Sequence, residues 1–296
     1  MLRKPLNVLN ICILGLEKKH LGKSGEWVAA IGLGTWGIGG RETPDYSQDD
    51  QAIEAIRYAV ELGMNHIDTA EIYGGGHSEE LVGKALKTIP REEVFVATKV
   101  WPSNLRYDDV LKACRRSLER LQLKYVDLYM IHWPNPRIPV SETIHALEKL
   151  VKDGLVRYIG VSNFDVPLLQ EAMEACRSEE IVSNQIIYSL ENRENEREVI
   201  PFCEKNKITV VAYTPLGKGR IAAEAEKNTE RGRALATLAK KYGKTPTQVA
   251  LNWVIWKPHV ITIPKAIRRE HLEENAGGAG WRLAEEDYQL LSRAWR

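Results

Sequence analysis

The sequence has few cysteines and almost no net charge. Among its 296 residues four are cysteines, none of them in a C-x-x-C motif: Cys12, Cys114, Cys176 and Cys203. Scattered cysteines of this kind are typical of a reduced compartment, so we predict a cytoplasmic protein. Lys and Arg number 41 against 40 for Asp and Glu, a formal net charge of +1. This balance gives no electrostatic reason to expect nucleic acid or an anionic membrane as a partner.

Long apolar runs and metal-binding patterns are also missing. No run reaches the roughly 18 apolar residues of a membrane-spanning helix, and no His and Cys cluster has metal-site spacing. The mostly apolar segment 6–16 loosely resembles a signal peptide, but the charged Glu17-Lys18-Lys19 follows where small residues should precede a cleavage site. We therefore predict an N-terminal extension over residues 1–17, one domain over 18–296, and neither a metal site nor a membrane span.

Short strand-like runs alternate with helix-like stretches along the chain. This alternation is typical of parallel sheets, and eight such units predict an α/β protein with a closed (β/α)8, or TIM, barrel. An open dinucleotide-binding sheet is disfavoured, because Gly32-Leu33-Gly34 is not followed by the start of a helix. The eight runs are Ala30–Thr35, Asn65–Thr69, Val94–Val100, Val126–His132, Tyr158–Ser162, Val182–Ile187, Ile208–Tyr213 and Val260–Pro264.

Polar or aromatic residues stand at the ends of most predicted strands. The carboxyl-terminal strand ends of a barrel meet on one rim, where active sites of such barrels are built. A carboxylate, an ammonium and an imidazole from three successive strands are therefore expected to converge. The strand-end residues are Asp68, Lys99, His132, Ser162-Asn163, Gln185, Tyr213 and Lys265.

Tyr73 lies in the loop beyond Asp68 and completes a set suited to proton transfer. A phenol has a pKa of about 10 in water, and a Lys99 ammonium in contact would lower it. Asp68 can hold Lys99 charged, and His132 can hydrogen-bond a substrate oxygen. These four side chains can protonate a carbonyl oxygen as negative charge develops on it. Because they supply no hydride, redox chemistry would require a cofactor.

Each of the four residues also has a structural interpretation when taken alone. Asp68 and Lys99 would form an ordinary ion pair, and His132 a hydrogen-bonded structural imidazole. Tyr73 would be a loop side chain beside Gly74-Gly75-Gly76. The joint pattern on one rim favours the catalytic interpretation, since it is much less expected by accident than any one member.

The strand-end motifs, taken in order, resemble those of the aldo-keto reductases. The resemblance extends from about residue 29 to residue 294. The motif sequences are most similar to those of microbial aldo-keto reductases and alcohol dehydrogenases of that family. The motifs are Gly32–Trp36, Asn65–Ala70 with Tyr73, Thr98–Trp101, Asp127–Pro134, Ile159–Phe164, Ala212–Gly217 and Ile263–Lys265.

This resemblance implies a barrel that binds an extended nicotinamide dinucleotide. It implies that Tyr73 is the general acid and base, that Lys99 and Asp68 tune it, and that His132 orients the carbonyl. Tyr213 corresponds to the residue that stacks on the nicotinamide, and Ser162, Asn163 and Gln185 to those that bind its carboxamide. The complete set of expected cofactor contacts is Thr35, Trp36, Asp68, Ser162, Asn163, Gln185, Tyr213, Thr214, Pro215, Leu216, Lys265, His271, Glu274 and Asn275.

The part of the expected cofactor site that would bind adenosine departs from the family pattern at two positions. Lys265 corresponds to a residue that pairs with the 2′-phosphate of NADP. His271 stands where many members carry arginine, and Ala266 where serine is common. A neutral histidine lacks the bidentate fork of arginine, although Arg268 and Arg269 can supply charge. We expect NADP(H) to be favoured and NAD(H) to remain possible.

The substrate site is expected to be aromatic and open. Trp36, Trp101 and Trp133 adjoin the catalytic motifs, and such rigid walls suit an apolar carbonyl. The chain ends at Arg296 without the long C-terminal tail of many animal members. We therefore expect small aldehydes, ketones or alcohols, bound by Trp36, Tyr73, Trp101, His132 and Trp133, and a monomer or small homo-oligomer.

Two other functions fit parts of the pattern. Some potassium-channel β subunits share this fold and bind NADPH as regulatory modules without turnover. A phosphate-handling barrel isomerase would need a glycine-rich site after the last strands, for which Leu216-Gly217-Lys218-Gly219 is weak evidence. The complete catalytic set favours an oxidoreductase over both.

Overall fold

The computed structural model describes residues 16–296. It opens with an antiparallel hairpin, β1 (Lys18–His20) and β2 (Trp27–Ala29). Leu21 and Val28 of this hairpin belong to the apolar cluster inside the barrel, so the hairpin closes one end of it. The extension predicted for residues 1–17 lies almost wholly outside the described residues.

Eight parallel strands follow in sequence order and form one sheet. The sheet closes on itself, because Ile31 bridges Thr262 in parallel and the Gly32 amide donates to the Thr262 carbonyl at 2.8 Å. This confirms the predicted (β/α)8 barrel. The strands are β3 (Leu33–Gly34), β4 (His66–Asp68), β5 (Phe95–Val100), β6 (Val126–Ile131), β7 (Val156–Ser162), β8 (Ile181–Ile187), β9 (Thr209–Tyr213) and β10 (Val260–Thr262).

The helices pack around the sheet, and none within residues 16–296 is long and apolar enough to cross a membrane. Thr245 begins one of them with a capping box in which its hydroxyl and the Gln248 side chain bond reciprocally to the backbone. The helices are α1 (Asp49–Glu61), α2 (His77–Leu86), α3 (Tyr107–Leu121), α4 (Val140–Lys152), α5 (Val166–Ala175), α6 (Val199–Asn206), α7 (Arg220–Glu224), α8 (Glu230–Tyr242), α9 (Pro246–Val254), α10 (Arg269–Ala276) and α11 (Glu285–Ala294).

Two apolar layers form the core, one between sheet and helices and one inside the barrel. Successive side chains of a strand point to opposite faces of the sheet. In β5, Phe95 and Ala97 belong to the inner layer, so Lys99 continues that row to the rim. In β6, Leu128 and Met130 lead in the same way to His132. The strand period thus delivers both polar groups to one mouth.

Candidate active site

Lys99 is the centre of the polar cluster at the carboxyl-terminal rim. Its ammonium is fully buried and donates to Asp68 Oδ1 at 2.6 Å and to the Thr69 carbonyl at 2.8 Å. The third bond goes to the Tyr73 hydroxyl at 3.2 Å. The structure therefore brings Asp68, Tyr73 and Lys99 together as the sequence predicted, although they come from two strands and a loop.

The pKa of Tyr73 differs in direction from the sequence expectation. Burial raises the pKa of the phenol, and the Lys99 charge lowers it by less, so the net pKa lies above its ordinary value. The expected net lowering by Lys99 was wrong because the sequence does not reveal how deeply Tyr73 is buried. Burial lowers the pKa of Lys99, but the Asp68 charge and the hydrogen bonds raise it further, leaving it above normal. Near neutral pH the pair is thus an ammonium and a neutral phenol.

His132 faces Tyr73 across the mouth as a neutral imidazole. The two ring centroids are 5.5 Å apart. Burial and the nearby Lys99 charge lower the pKa of His132 to about 2, so the ring carries no charge at neutral pH. Its buried Nδ1 has no hydrogen-bond partner within residues 16–296. A neutral imidazole offers one N–H donor, which suits orienting a carbonyl oxygen.

Aromatic side chains enclose this mouth. The Trp36 ring meets Tyr73 edge-on at 4.9 Å between centroids, and Trp101 meets His132 at 5.1 Å. Trp36 and Trp133 are each 44% exposed, an unusual state for indoles that marks an open apolar surface. Trp36 and Trp101 thus lie beside Tyr73 and His132, and Trp133 follows His132 directly in the chain.

The loop that carries Tyr73 is held by three consecutive glycines. Gly74, Gly75 and Gly76 all have positive φ, which side-chain-bearing residues rarely adopt. The Gly74 amide donates to the Arg41 carbonyl at 2.7 Å, and a Cβ on Gly74 would overlap the Gly39 carbonyl oxygen. The loop after β3 and the Tyr73 loop are therefore packed backbone to backbone.

Four residues expected at the nicotinamide ring form a hydrogen-bonded network, the cofactor wall, which consists of Ser162, Asn163, Gln185 and Tyr213. Asn163 Nδ2 donates to the Ser162 hydroxyl at 3.0 Å and to the His132 carbonyl at 3.1 Å. The Tyr213 hydroxyl donates to Asn163 Oδ1 at 2.9 Å. Gln185 Nε2 donates to Asp68 Oδ2 at 2.8 Å, which links this wall directly to the carboxylate that holds Lys99.

The donor set on this wall fits a nicotinamide carboxamide. That group presents one oxygen acceptor and one NH2 donor, and Ser162, Asn163 and Gln185 supply matching hydroxyl and amide groups. Tyr213 lies beside them with a half-buried ring. Thr214, which follows Tyr213, has a φ of 55°, so the chain turns sharply toward Pro215 and Leu216 as it leaves β9.

The residues expected at the adenosine end lie beyond β10 and on α10. Lys265 and His271 are exposed, Glu274 is half-buried and Asn275 is buried. Arg268 Nη2 lies 2.6 Å from His271 Nε2, so the histidine accepts a hydrogen bond from the neighbouring guanidinium. Arg269 is engaged elsewhere, stacked 3.7 Å over the Tyr58 ring and bonded to Glu273. Unlike Arg269, Lys265 and Arg268 have no carboxylate partner among residues 16–296, although Arg268 contacts His271.

Two residues near the mouth make contacts that the sequence did not predict: Glu71, for which no role is predicted, and Thr35, a predicted cofactor contact. Glu71 accepts hydrogen bonds from the Trp101 amide at 2.7 Å and from Asn104 at 2.9 Å, and so fixes the loop that carries Trp101. Thr35 is not turned toward an open cleft, because its buried hydroxyl accepts from Ser78 at 2.9 Å. Residues 16–296 contain no cluster of three or more His, Cys, Asp or Glu side chains that could hold a metal ion.

The family follows from sequence comparison once this rim is described. The sequence profile described as Aldo/keto reductase family matches residues 30–296. The chain belongs to the aldo-keto reductase family. It is 35% identical to methylglyoxal reductase YeaE of Escherichia coli strain K12 over 282 residues, covering 95% of this chain and 96% of that enzyme.

Solved structures of aldo-keto reductases share the fold closely. The crystal structure of the thermostable aldo-keto reductase Tm1743 with the inhibitor epalrestat is 48% identical, with a TM-score of 0.89, covering 94% of this chain and all of that one. An aldo/keto reductase from Klebsiella pneumoniae in complex with NADP and acetate is 36% identical, with a TM-score of 0.86 and coverage of 95% and 96%. The predicted family and fold are confirmed.

Proposed function

We propose that this aldo-keto reductase reduces small aldehydes and ketones with NADPH, and that Tyr73 is the general acid. The observation that carries the proposal is the Lys99 ammonium, which is fully buried and bonded at once to Asp68 and to the Tyr73 hydroxyl. A structural ion pair would not need a phenol as its third partner at an aromatic mouth.

The described side chains divide the work of proton transfer. A reduced nicotinamide, when bound, supplies the hydride that adds to the carbonyl carbon. The Tyr73 O–H bond then breaks as its proton passes to the carbonyl oxygen, and the resulting phenolate is stabilised by Lys99. His132 donates to the same oxygen and orients it, since its ring is neutral at physiological pH. Asp68 keeps Lys99 charged and in place.

The pKa of Tyr73 favours the reductive direction. Because burial raises that pKa above its ordinary value, the phenol is protonated at neutral pH and ready to act as an acid. Oxidation of an alcohol would need the phenolate, which this environment disfavours. We propose that reduction of the carbonyl is the faster direction near pH 7.

The relatives and the mouth together suggest the substrate class. YeaE carries the name methylglyoxal reductase, and the Trp36, Trp101 and Trp133 walls suit a compact carbonyl with little polar surface. A panel of methylglyoxal, simple aldehydes and ketones, followed by loss of nicotinamide absorbance, tests this. We expect the highest kcat/KM for small dicarbonyls and aldehydes. Intact NADPH binding with no turnover on the whole panel would contradict the proposal and favour a regulatory NADPH-binding subunit.

Cofactor preference is tested by the exchange of one side chain. With Lys265 and Arg268 as the available cations, we propose NADPH as the favoured cofactor with measurable use of NADH. The variant His271→Arg adds a fixed guanidinium fork, and its ratio of kcat/KM for NADPH over NADH should rise about tenfold. Lys240→Arg is a control that adds a guanidinium on α8 instead. An unchanged ratio in His271→Arg would contradict this assignment of the adenosine end.

We also propose one barrel domain over residues 18–296, a monomer or small homo-oligomer, and a cytoplasmic location. Cys114, Cys176 and Cys203 are free thiols among the described residues, as a reduced compartment allows.

A further inference from the structure

His77 is a buried imidazole held between two carboxylates, four residues after Tyr73. It is the first residue of α2 and is 3% exposed. Its Nε2 lies 2.8 Å from Asp49 Oδ1, at the start of α1. Its Nδ1 lies 2.8 Å from Glu80 Oε2, one turn along α2. Both ring nitrogens are thus used, and by carboxylates from two different helices.

The chemistry of the partners determines when both bonds exist. An ionised carboxylate only accepts hydrogen bonds, whereas a neutral imidazole has one N–H donor and one acceptor nitrogen. Both contacts are therefore hydrogen bonds only while the ring carries two N–H groups, as the imidazolium ion. When the ring loses one proton, one of its nitrogens becomes an acceptor that faces a carboxylate oxygen, and the two lone pairs repel each other. The double contact depends on a single proton.

His77 also touches the loop after β3, which in turn packs against the Tyr73 loop. A Cβ on Gly39, in the loop after β3, would stand 3.0 Å from the His77 ring, so that backbone lies directly against it. In the same loop the Tyr46 ring lies against His77 with centroids 4.4 Å apart and the ring planes tilted by 55°. Gly74, next to Tyr73, packs on the carbonyl of Gly39. A shift of the imidazole would therefore be transmitted to the Tyr73 loop through only one intervening residue.

We infer that His77, clasped by Asp49 and Glu80, is a positioning residue. While the His77 ring carries both N–H groups, it holds the Tyr73 loop where the Tyr73 hydroxyl meets the Lys99 ammonium. This inference rests on the proposed role of Tyr73. The bond it protects is the 3.2 Å contact from Lys99 to the Tyr73 hydroxyl. His77 does not reach the reacting atoms, and it acts only through the loop.

The proton on His77 is surrounded by acidic and aromatic groups. Facing the ring are Asp49 from α1, Glu80 from α2, and Asp45 and Tyr46 from the loop after β3. The other titratable groups of the mouth change charge elsewhere on the pH scale. The pKa of His132 is lowered to about 2, and that of Tyr73 is raised above its ordinary value near 10. Titration of His132 or Tyr73 therefore does not account for a change of turnover at intermediate pH.

The decisive variant is Glu80→Gln, because an amide can turn to accept from an N–H or to donate to a bare ring nitrogen. It keeps the size of the side chain and both bonds in either protonation state. In the wild type we expect kcat at saturating NADPH to fall as pH rises past the loss of the His77 proton. In Glu80→Gln that fall should disappear. Glu54→Gln, on an exposed face of α1, removes the same charge and should retain the wild-type profile.

Removal of the ring nitrogens is the second test. His77→Phe keeps an aromatic ring but neither bond, and we expect kcat to drop about 10- to 100-fold under conditions in which the wild type keeps both bonds, the effect of misplacing a reacting group by about an ångström. The Kd for NADPH, measured by fluorescence, should stay within about twofold, since His77 lies outside the cofactor wall. A loss of NADPH binding equal to the loss of kcat would indicate a general structural role and overturn the inference.

Hydrogen–deuterium exchange separates this inference from the proposed catalytic function. In the wild-type chain, amide exchange over residues 70–76 should accelerate when His77 loses its proton, and in Glu80→Gln it should not. This readout needs no turnover, so it stands even if Tyr73 proves not to be the acid. Identical amide exchange and identical pH profiles of kcat in wild type and Glu80→Gln would contradict the positioning role inferred for His77.

Discussion

Replacement of Tyr73 by phenylalanine should reduce turnover by about 10²- to 10⁴-fold, the range attributed to a positioned general acid. The variant keeps the ring, and hence its contacts with Trp36 and His132, but deletes the hydroxyl proton that we propose is transferred to the substrate. Steady-state kinetics with methylglyoxal and NADPH would measure the loss. The decrease should be in kcat, because the missing interaction forms fully only in the transition state.

Two controls make the Tyr73→Phe result specific. The Kd for NADPH should be nearly unchanged, since the residues proposed to bind the carboxamide are Ser162, Asn163 and Gln185, which this variant leaves in place. Tyr125→Phe deletes a hydroxyl beneath Arg91 at the far end of β6 and should keep normal turnover. Near-normal turnover of Tyr73→Phe would show that another group supplies the proton.

Replacement of Lys99 by methionine should impair both turnover and folding. Methionine nearly fills the same volume, but it leaves the Asp68 carboxylate buried with Gln185 as its remaining side-chain partner. Removing one partner of a buried ion pair costs about 3–5 kcal/mol of unfolding free energy. Turnover should fall at least as far as in Tyr73→Phe, because the phenolate formed in the reaction loses its counter-charge. Urea denaturation and steady-state kinetics measure the two effects.

A double variant separates the two roles of Lys99. Asp68→Asn combined with Lys99→Met removes both charges, so most of the stability should return while turnover stays low. Lys149→Met, which breaks an exposed pair with Asp153 on α4, should change stability by only about 0.3–0.5 kcal/mol. Recovery of turnover in the double variant would contradict the requirement for an ammonium beside Tyr73.

The effect of Lys99 on stability has a defined pH dependence. Its folded pKa lies above the ordinary lysine value, chiefly because the Asp68 charge and the hydrogen bonds outweigh burial, which lowers that pKa. A group whose pKa is raised on folding stabilises the protein fully below its unfolded pKa of about 10.4 and loses that contribution as pH rises through the folded value. The stability difference between wild type and Lys99→Met should therefore be constant near neutral pH and shrink only in strong alkali.

The side chains that reach the carboxyl-terminal rim could be predicted from the sequence, because the alternation of side chains along a strand and the barrel topology determine them. Phe95, Ala97 and Lys99 alternate with outward residues, so the side of the sheet on which Lys99 lies follows from counting. Its meeting with Asp68 and His132 then follows from the convergence of strand ends in any closed barrel. The strand bounds agree within a few residues for the same reason. β3 is shorter than predicted, because Ile31 pairs with Thr262 as an isolated bridge outside the strand.

The electrostatics of the site could not be predicted in this way. The pKa of Tyr73 depends on how much protein covers the phenol, and that covering comes from loops whose path the sequence pattern does not determine. The bond between Gln185 and Asp68 and the clasp on His77 join residues 117 and 28 positions apart, with no shared periodicity to reveal them. For His77 one local signal existed, a histidine at a helix start with Glu80 three residues on.

The most direct test of the account is a stopped-flow measurement of one turnover with enzyme and NADPH preformed as a complex. Mixing with methylglyoxal should give rapid loss of nicotinamide absorbance for the wild type. Tyr73→Phe and Lys99→Met, loaded with NADPH to the same extent, should lose it at least about 100-fold more slowly. Equal rates in wild type and Tyr73→Phe would contradict the claim that this phenol, held by a buried ammonium, delivers the proton.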